Sequence, residues 1–209
     1  MFRRAGFIGV LLLIVVFTFP VLLGSDRIER SFEVADGGRL TIRAERGSIE
    51  VMSGDTGGVN IEILLNGWDR EGFEDEFDVS FRQQENDVEL EIVSRKRFSS
   101  WFNWGRKRFL IRAEVPTIYN VDLKTSGGGI SVDDLEGEVL SRTSGGSLTF
   151  GRIEGPVVGE TSGGSIKLRE CRGEVDIETS GGSILIGLSL IHISEPTRPL
   201  YISYAVFCL

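Results

Sequence analysis

Apolar and polar residues alternate along much of the chain between residues 32 and 187, as in the stretches SIKL and EVDIET. A period of two is typical of β-strands, because successive side chains point to opposite faces of a sheet. The motif Thr-Ser-Gly-Gly interrupts this alternation at regular intervals of 18 residues, at Thr125, Thr143, Thr161 and Thr179. The pattern therefore predicts short strands joined by evenly spaced turns.

Written in an 18-residue register, the repeats place like residues above like. The clearest columns are Val121, Val139, Val157 and Val175; Ile130, Leu148, Ile166 and Ile184; and Gly137, Gly155 and Gly173. Repeats this short cannot bury their own apolar face, so they must stack, with strands ~4.8 Å apart. The pattern predicts an all-β fold, a parallel β-solenoid with 18-residue coils and inward-pointing threonines. We expect each Gly-Gly pair to form a turn with positive φ.

A degenerate copy of the repeat lies upstream, where residues 40–51 align without a gap on residues 175–186. The repeat pattern therefore begins near residue 32. Between this copy and the regular repeats we predict an irregular insertion at about residues 66–106, formed by longer coils or by a hairpin. The strand-like stretches of this region are residues 59–65, 77–82, 88–93 and 109–115.

The N-terminal residues 1–24 have the pattern of a membrane segment. Arg3 and Arg4 precede twenty uncharged residues, which as a helix would span ~30 Å, the thickness of a bilayer core. The preceding arginines place the N-terminus inside and the domain outside the cell membrane, as a single-pass protein. Residues 25–31 are then a linker. A cleaved signal peptide, which would make the protein secreted, is the open alternative.

The C-terminal residues 188–209 break the repeat pattern. Their sequence, LSLIHISEPTRPLYISYAVFCL, looks like a translated sequencing-library adapter, with PLY as its variable index. We therefore expect residues 32–187 to be a C-terminally truncated domain followed by a non-native tail. The alternative is a natural apolar C-terminal strand.

Composition narrows the classes of function. The 209 residues carry a net charge of -8 with two cysteines and one histidine. This charge argues against binding to duplex nucleic acid, and the scarcity of histidine and cysteine leaves little for a zinc site or a Cys-His pair. Cys171 shares a column with Leu135 and Ile153, so we expect a buried structural thiol. We expect no cofactor, no metal site, no catalytic residue and no nucleic-acid partner.

The stretches FEVADGGRLTIRAERGSIEV and VDLKTSGGGISVDDLEGEV, with the in-register copies of the second, carry a family resemblance. Residues 32–187 resemble the putative-adhesin β-strand-repeat family, the DUF4097 type. The resemblance implies a right-handed, single-domain β-solenoid on an exported or membrane-anchored envelope protein. It implies no catalytic residues.

Residues 95–108, RKRFSSWFNWGRKR, form the candidate binding segment, with six cations, four aromatic residues and no acid. Tryptophan at headgroup level and basic residues against phosphate suit an anionic membrane, while indole faces also suit sugars of an acidic glycan. The structural alternative is a hairpin tip whose aromatic residues fold back onto the domain. The candidate surface-binding residues are Arg95, Lys96, Arg97, Trp101, Phe102, Trp104, Arg106, Lys107 and Arg108.

A polysaccharide-active β-helix enzyme is a further alternative, and it would need carboxylates clustered on one outer face. The column of Asp176 instead holds Leu140 and Val158, and the next column reads Lys124, Arg142, Glu160 and Glu178. We predict an ion pair between Arg142 and Glu160. The preferred hypothesis is a non-catalytic extracytoplasmic surface protein, adhesin-like or an envelope scaffold. The second hypothesis is a sensor that binds a membrane or an anionic glycan through residues 95–108. The expected partners are the membrane, an anionic lipid or glycan, or another envelope protein.

Overall fold

The computed structural model describes residues 27–55, 57–95 and 107–187, and the backbone of residues 191–193 and 203–208. These residues form eighteen strands and one short helix. The elements are β1 (Arg27–Glu33), β2 (Arg39–Ala44), β3 (Ser48–Gly54), β4 (Gly58–Asn66), α1 (Arg70–Glu76), β5 (Phe77–Gln84), β6 (Asp87–Ser94), β7 (Arg108–Pro116), β8 (Asn120–Thr125), β9 (Ile130–Val132), β10 (Leu135–Glu136), β11 (Val139–Thr143), β12 (Leu148–Glu154), β13 (Val157–Thr161), β14 (Ile166–Cys171), β15 (Glu174–Thr179), β16 (Ile184–Ile186), β17 (Ile191–Ile193) and β18 (Ser203–Cys208).

The strands form two mixed sheets, so the fold is nearly all β. The first sheet has the order β1-β4-β7-β3-β9-β12-β14-β16, with β10 beside β12. The second has the order β17-β18-β15-β13-β11-β8-β2-β6-β5. Buried and exposed side chains alternate along most strands, for example in β4 and β7. The buried apolar residues form a single cluster that is the core of the domain.

Each regular repeat contributes strands to both sheets, and equivalent residues pair in parallel. Val139 has Val121 and Val157 as Cα partners in the second sheet, and Leu148 has Ile130 and Ile166 in the first. This confirms the predicted columns of like residues. The upstream copy follows the same register, with Leu40 opposite Val121 and Ile49 opposite Ile130. We call one such repeat a coil.

The motif threonines connect successive coils. Thr125, Thr143 and Thr161 are buried, as the alternation predicts. The hydroxyl of Thr143 donates to the carbonyl oxygen of Gly128 at 2.8 Å, and that of Thr161 donates to Gly146 at 2.8 Å. The ladder therefore runs from each threonine to the backbone of the preceding coil.

The second glycine of each motif is required for a reason other than the one expected from the sequence. Gly128, Gly146, Gly164 and Gly182 do not have positive φ, so that expectation was wrong. A Cβ at Gly146 would instead overlap the carbonyl oxygen of Gly128, the equivalent residue of the preceding coil. The backbones approach so closely at this corner that no side chain fits between them.

The insertion contains both of the predicted alternatives. β4 pairs antiparallel with β1 and β7, and β5 pairs antiparallel with β6. The prediction of a purely parallel domain was therefore wrong. In contrast, β6 is parallel to β2 and β7 is parallel to β3. These two strands make an additional coil that stacks beside the β2–β3 coil. The antiparallel strands cover the outer side of that coil.

The predicted linker at residues 25–31 is shorter than expected. β1 begins at Arg27 and pairs along its whole length with β4, and Ile28 is 5% exposed. Because charged residues flank Ile28 on both sides, the alternation of apolar and polar residues does not predict this strand.

Within the described residues, no helix is long and apolar enough to cross a bilayer. Residues 1–24, on which the prediction of a membrane segment falls, lie outside the described part of the chain. At the other end, the backbone of β18 pairs antiparallel with β15 and with β17.

One core position carries a hydroxyl that makes no hydrogen bond. Ser141 is fully buried, and its Oγ has no partner in the part of the chain that the structure describes. Desolvating an unpaired hydroxyl destabilises the folded state, so Ser141→Ala is expected to raise the free energy of unfolding by about 1 kcal/mol. Thr143→Val is the matched control, because it removes a hydroxyl that is hydrogen-bonded and should lower stability. Urea unfolding of the two variants would contradict this if both lost stability equally.

Candidate surface-binding site

The candidate segment lies at one corner of the additional coil. Ala44 and Ile49 flank the turn of the β2–β3 coil and are five residues apart, whereas their Cα partners Ile92 and Ile111 are nineteen residues apart. The chain between Ile92 and Ile111 therefore spans the same corner that the Thr-Ser-Gly-Gly motif spans in the regular repeats. We call it the wide corner and define it by its last described residues, Arg95 and Lys107.

The structure describes three of the nine candidate residues. Arg95, Lys107 and Arg108 are exposed, and Arg108 is the first residue of β7. The other six lie outside the described residues: Lys96, Arg97, Trp101, Phe102, Trp104 and Arg106. The flanks, not the middle of the segment, therefore define the geometry of the site.

Both flanks of the wide corner are held by specific contacts. The backbone N–H of Arg95 donates to the carbonyl oxygen of Glu76 at 2.8 Å, and its guanidinium lies 3.2 Å from a carboxylate oxygen of Asp78. On the other side, the Lys107 ammonium lies 4.2 Å from the ring centroid of Trp68. This is a cation–π contact, and it orients Lys107 on a buried ring.

Four aromatic side chains form the base of the wide corner: Trp68, Phe73, Phe77 and Phe109. Their ring centroids are 5.0 to 5.9 Å apart, mostly in edge-to-face arrangements, and all four are buried. α1 carries the central ring, Phe73, into this aromatic cluster. The alternation of apolar and polar residues does not predict this cluster, because residues 71–76 are mostly acidic. The available signal was the aromatic residue inside that acidic stretch.

Acidic residues of α1 lie close to Arg95, at the first described end of the wide corner. Arg70, Glu71, Glu74, Asp75 and Arg95 line a shallow open cleft. Arg46, from the turn of the neighbouring coil, lies 3.9 Å from Glu76. Because these charges largely balance, the excess positive charge of the site comes from the acid-free sequence of the segment itself.

Several carboxylates elsewhere on the surface are engaged in ion pairs. Arg142 lies 3.3 Å from Glu160, as predicted from the register. Asp134 accepts the backbone N–H of Arg152 at 2.8 Å and contacts the guanidinium of Arg169. These interactions hold Asp134 in a structural role.

The described residues contain no group of three or more histidine, cysteine, aspartate or glutamate side chains placed to hold a metal ion. Cys171 is 2% exposed, as its column predicts, and its thiol lies 3.4 Å from the carbonyl oxygen of Gly155. It is a core residue.

No protein-family model matches the chain, and no curated protein is similar enough to match it. A "putative cell adhesion protein" from Clostridium sporogenes aligns with a TM-score of 0.52 and 12% identity, over 77% of this chain and 99% of that chain. A "putative adhesin" from Parabacteroides distasonis aligns with a TM-score of 0.38 and 10% identity, over 77% and 73%. A "putative lipid binding protein" from Parabacteroides distasonis aligns with a TM-score of 0.24 and 13% identity, over 78% and 95%. The first similarity shows a shared fold.

Proposed function

We propose that the chain is a non-catalytic surface protein, adhesin-like or an envelope scaffold, that binds an anionic surface through the wide corner. The observation that carries this is the concentration of cations and aromatic residues in one acid-free segment of a protein with net charge -8. Arg95 contacts Asp78 and Lys107 contacts Trp68, so the residues on both sides of the segment are held in place.

We further propose that the stacked coils form a right-handed β-solenoid of the DUF4097 type. The support is the parallel 18-residue register together with the sequence resemblance. Residues 1–24 would anchor this domain in the membrane with the domain outside the cell. Residues 188–209 would be a translated adapter, and sequencing the source DNA through this region decides their origin.

Replacing Trp101 and Trp104 by alanine tests the proposed function. The double variant is expected to lose most of the binding to vesicles of anionic phospholipid or to an acidic polysaccharide, because indole rings supply the apolar part of either contact. Co-sedimentation with each ligand measures this, on a chain without residues 1–24, because the proposed membrane segment would bind vesicles by itself. Unchanged binding to both ligands would instead support the structural alternative, in which the segment is a hairpin tip folded onto the domain.

The row of Asp176 in the second sheet does not favour the enzyme alternative. Asp176 has Val158 as its Cα partner, and Val158 has Leu140, so two aliphatic residues share its row on the outer face of the second sheet. A catalytic pair of carboxylates is typically placed 5 to 10 Å apart about a bound sugar. The arrangement of acids on this surface instead supports a binding or scaffold role.

A further inference from the structure

The first described residue of the domain lies beside the wide corner. β1 begins at Arg27, whose Cα partner in β4 is Leu64, and the partner of Leu64 in β7 is Leu110. Neighbouring strands are ~4.8 Å apart, so Arg27 is ~10 Å from Leu110 across the first sheet. Arg108, the first residue of β7, lies two residues before Leu110, and Lys107 directly precedes Arg108. The chain thus enters the domain next to the cations of the candidate site.

This position has a consequence for an anchored chain. Two residues separate Gly24, the end of the proposed membrane segment, from Arg27. A chain extends by at most ~3.6 Å per residue, so three steps hold Arg27 within ~11 Å of the end of the segment. The described end of the wide corner, at Lys107 and Arg108, must then lie close to the membrane surface.

We propose that Lys107 and Arg108, at the described end of the wide corner, contact the headgroups of anionic phospholipids in the same membrane that anchors the chain. The inference rests on the proposed function, because it needs both the anchor and the binding site. It names the partner of that site as lipid phosphate.

The charges at this place suit phosphate groups. Lys107 and Arg108 are exposed, and neither has an ion-pair partner among the residues that the structure describes. Arg27, in contrast, is paired with Glu29 at 2.9 Å and with Glu62 at 3.0 Å. Basic residues next to an anionic leaflet are attracted to the phosphate groups of its lipids. An anionic lipid is favoured over a glycan because the place where the chain enters the domain already holds these groups near the bilayer.

The opposite end of the domain supplies a matched control. β14 is separated from β7 by four strand spacings, or ~19 Å, along the first sheet. It carries Lys167, which is exposed and, like Arg108, has no ion-pair partner among the residues that the structure describes. Reversing the charge of Lys167 changes the net charge as much as reversing that of Arg108, but at a distance from the proposed contact.

The experiment reconstitutes the full chain in vesicles of neutral phosphatidylcholine, with or without anionic phosphatidylglycerol. A fluorophore is attached at Asn66→Cys in a Cys208→Ser background, because Asn66 is exposed and is the Cα partner of Arg108, whereas Cys171 is buried. Quenching by a nitroxide on the lipid headgroup reports proximity. We expect quenching to rise at least about twofold with anionic lipid. Arg108→Glu is expected to reduce this rise, Lys107→Glu with Arg108→Glu to remove most of it, and Lys167→Glu, the control for Arg108→Glu, to keep it.

Equal quenching in neutral and anionic vesicles would overturn the inference. Flotation of the chain with vesicles at high salt tests the anchor separately, and a chain that does not float would refute the anchor and this inference together. If the chain floats without lipid-dependent quenching, while Trp101 and Trp104 support binding to an acidic polysaccharide, the partner is a glycan. The proposed function would then stand and the lipid contact would not.

Discussion

Gly164→Ala is expected to prevent stable folding, whereas Gly163→Ala, one residue away in the same motif, is expected to be tolerated. A Cβ at Gly164 would overlap the carbonyl oxygen of Gly146, which also accepts the hydroxyl of Thr161. Relieving this overlap would separate two hydrogen-bonded coils. We expect a loss of more than about 3 kcal/mol, the range of the most damaging single substitutions.

Gly163 is the matched control because its surroundings are open. A Cβ there would lie 3.6 Å from its nearest neighbour, the carbonyl oxygen of Ser144, and Gly163 does not have positive φ. Alanine at such a site stabilises by about 0.4 to 1 kcal/mol, since it restricts the unfolded chain. Urea unfolding followed by circular dichroism measures both variants. Equal stability of the two would show that close approach of the coils is not what selects the second glycine.

Phe73→Ala is expected to cost about 3 to 5 kcal/mol, as is typical of a buried phenylalanine reduced to alanine. Phe73 is fully buried, and its ring centroid lies 5.0 Å from that of Phe77 and 5.1 Å from that of Phe109. Because it also contacts Trp68, the variant should loosen the base on which Lys107 rests. Chemical unfolding measures the stability, and binding to anionic vesicles measures the effect on the wide corner.

The control for this variant is Leu185→Ala, since Leu185 is 63% exposed. A surface substitution of this kind should change stability by less than about 0.5 kcal/mol. If Phe73→Ala were as mild as Leu185→Ala, the aromatic cluster would not be a packed part of the core. If it lowered stability but left vesicle binding unchanged in the folded protein, the segment would not depend on this base.

The aromatic cluster illustrates what sequence patterns leave hidden. Phe73 lies in a charged stretch, and Trp68 and Phe109 are about forty residues apart. No local period connects them, because Phe109 joins the cluster through its contacts with Phe73 and Phe77, which depend on β4 and β7 being neighbours in the first sheet. The same holds for β1, whose one fully buried position, Ile28, is surrounded by charged and polar residues.

The strands and the register of the regular repeats could be predicted from the amino-acid sequence alone. Each coil needs the same apolar columns, the same threonine and the same glycines, so the residues that specify stacking recur every 18 residues. That redundancy also predicted the contact between Arg142 and Glu160 and the burial of Cys171.

Only the tertiary structure decided the order of the coils. Leu40 pairs with both Val88 and Val121, so the β2–β3 coil lies between a coil made by the insertion and the first regular repeat. Pairing between distant strands depends on complementary burial and shape, which are properties of the assembled core and not of either stretch alone. For that reason the placement of Arg95 and Lys107 at a turn corner, beside the start of β1, could be seen only in the folded chain.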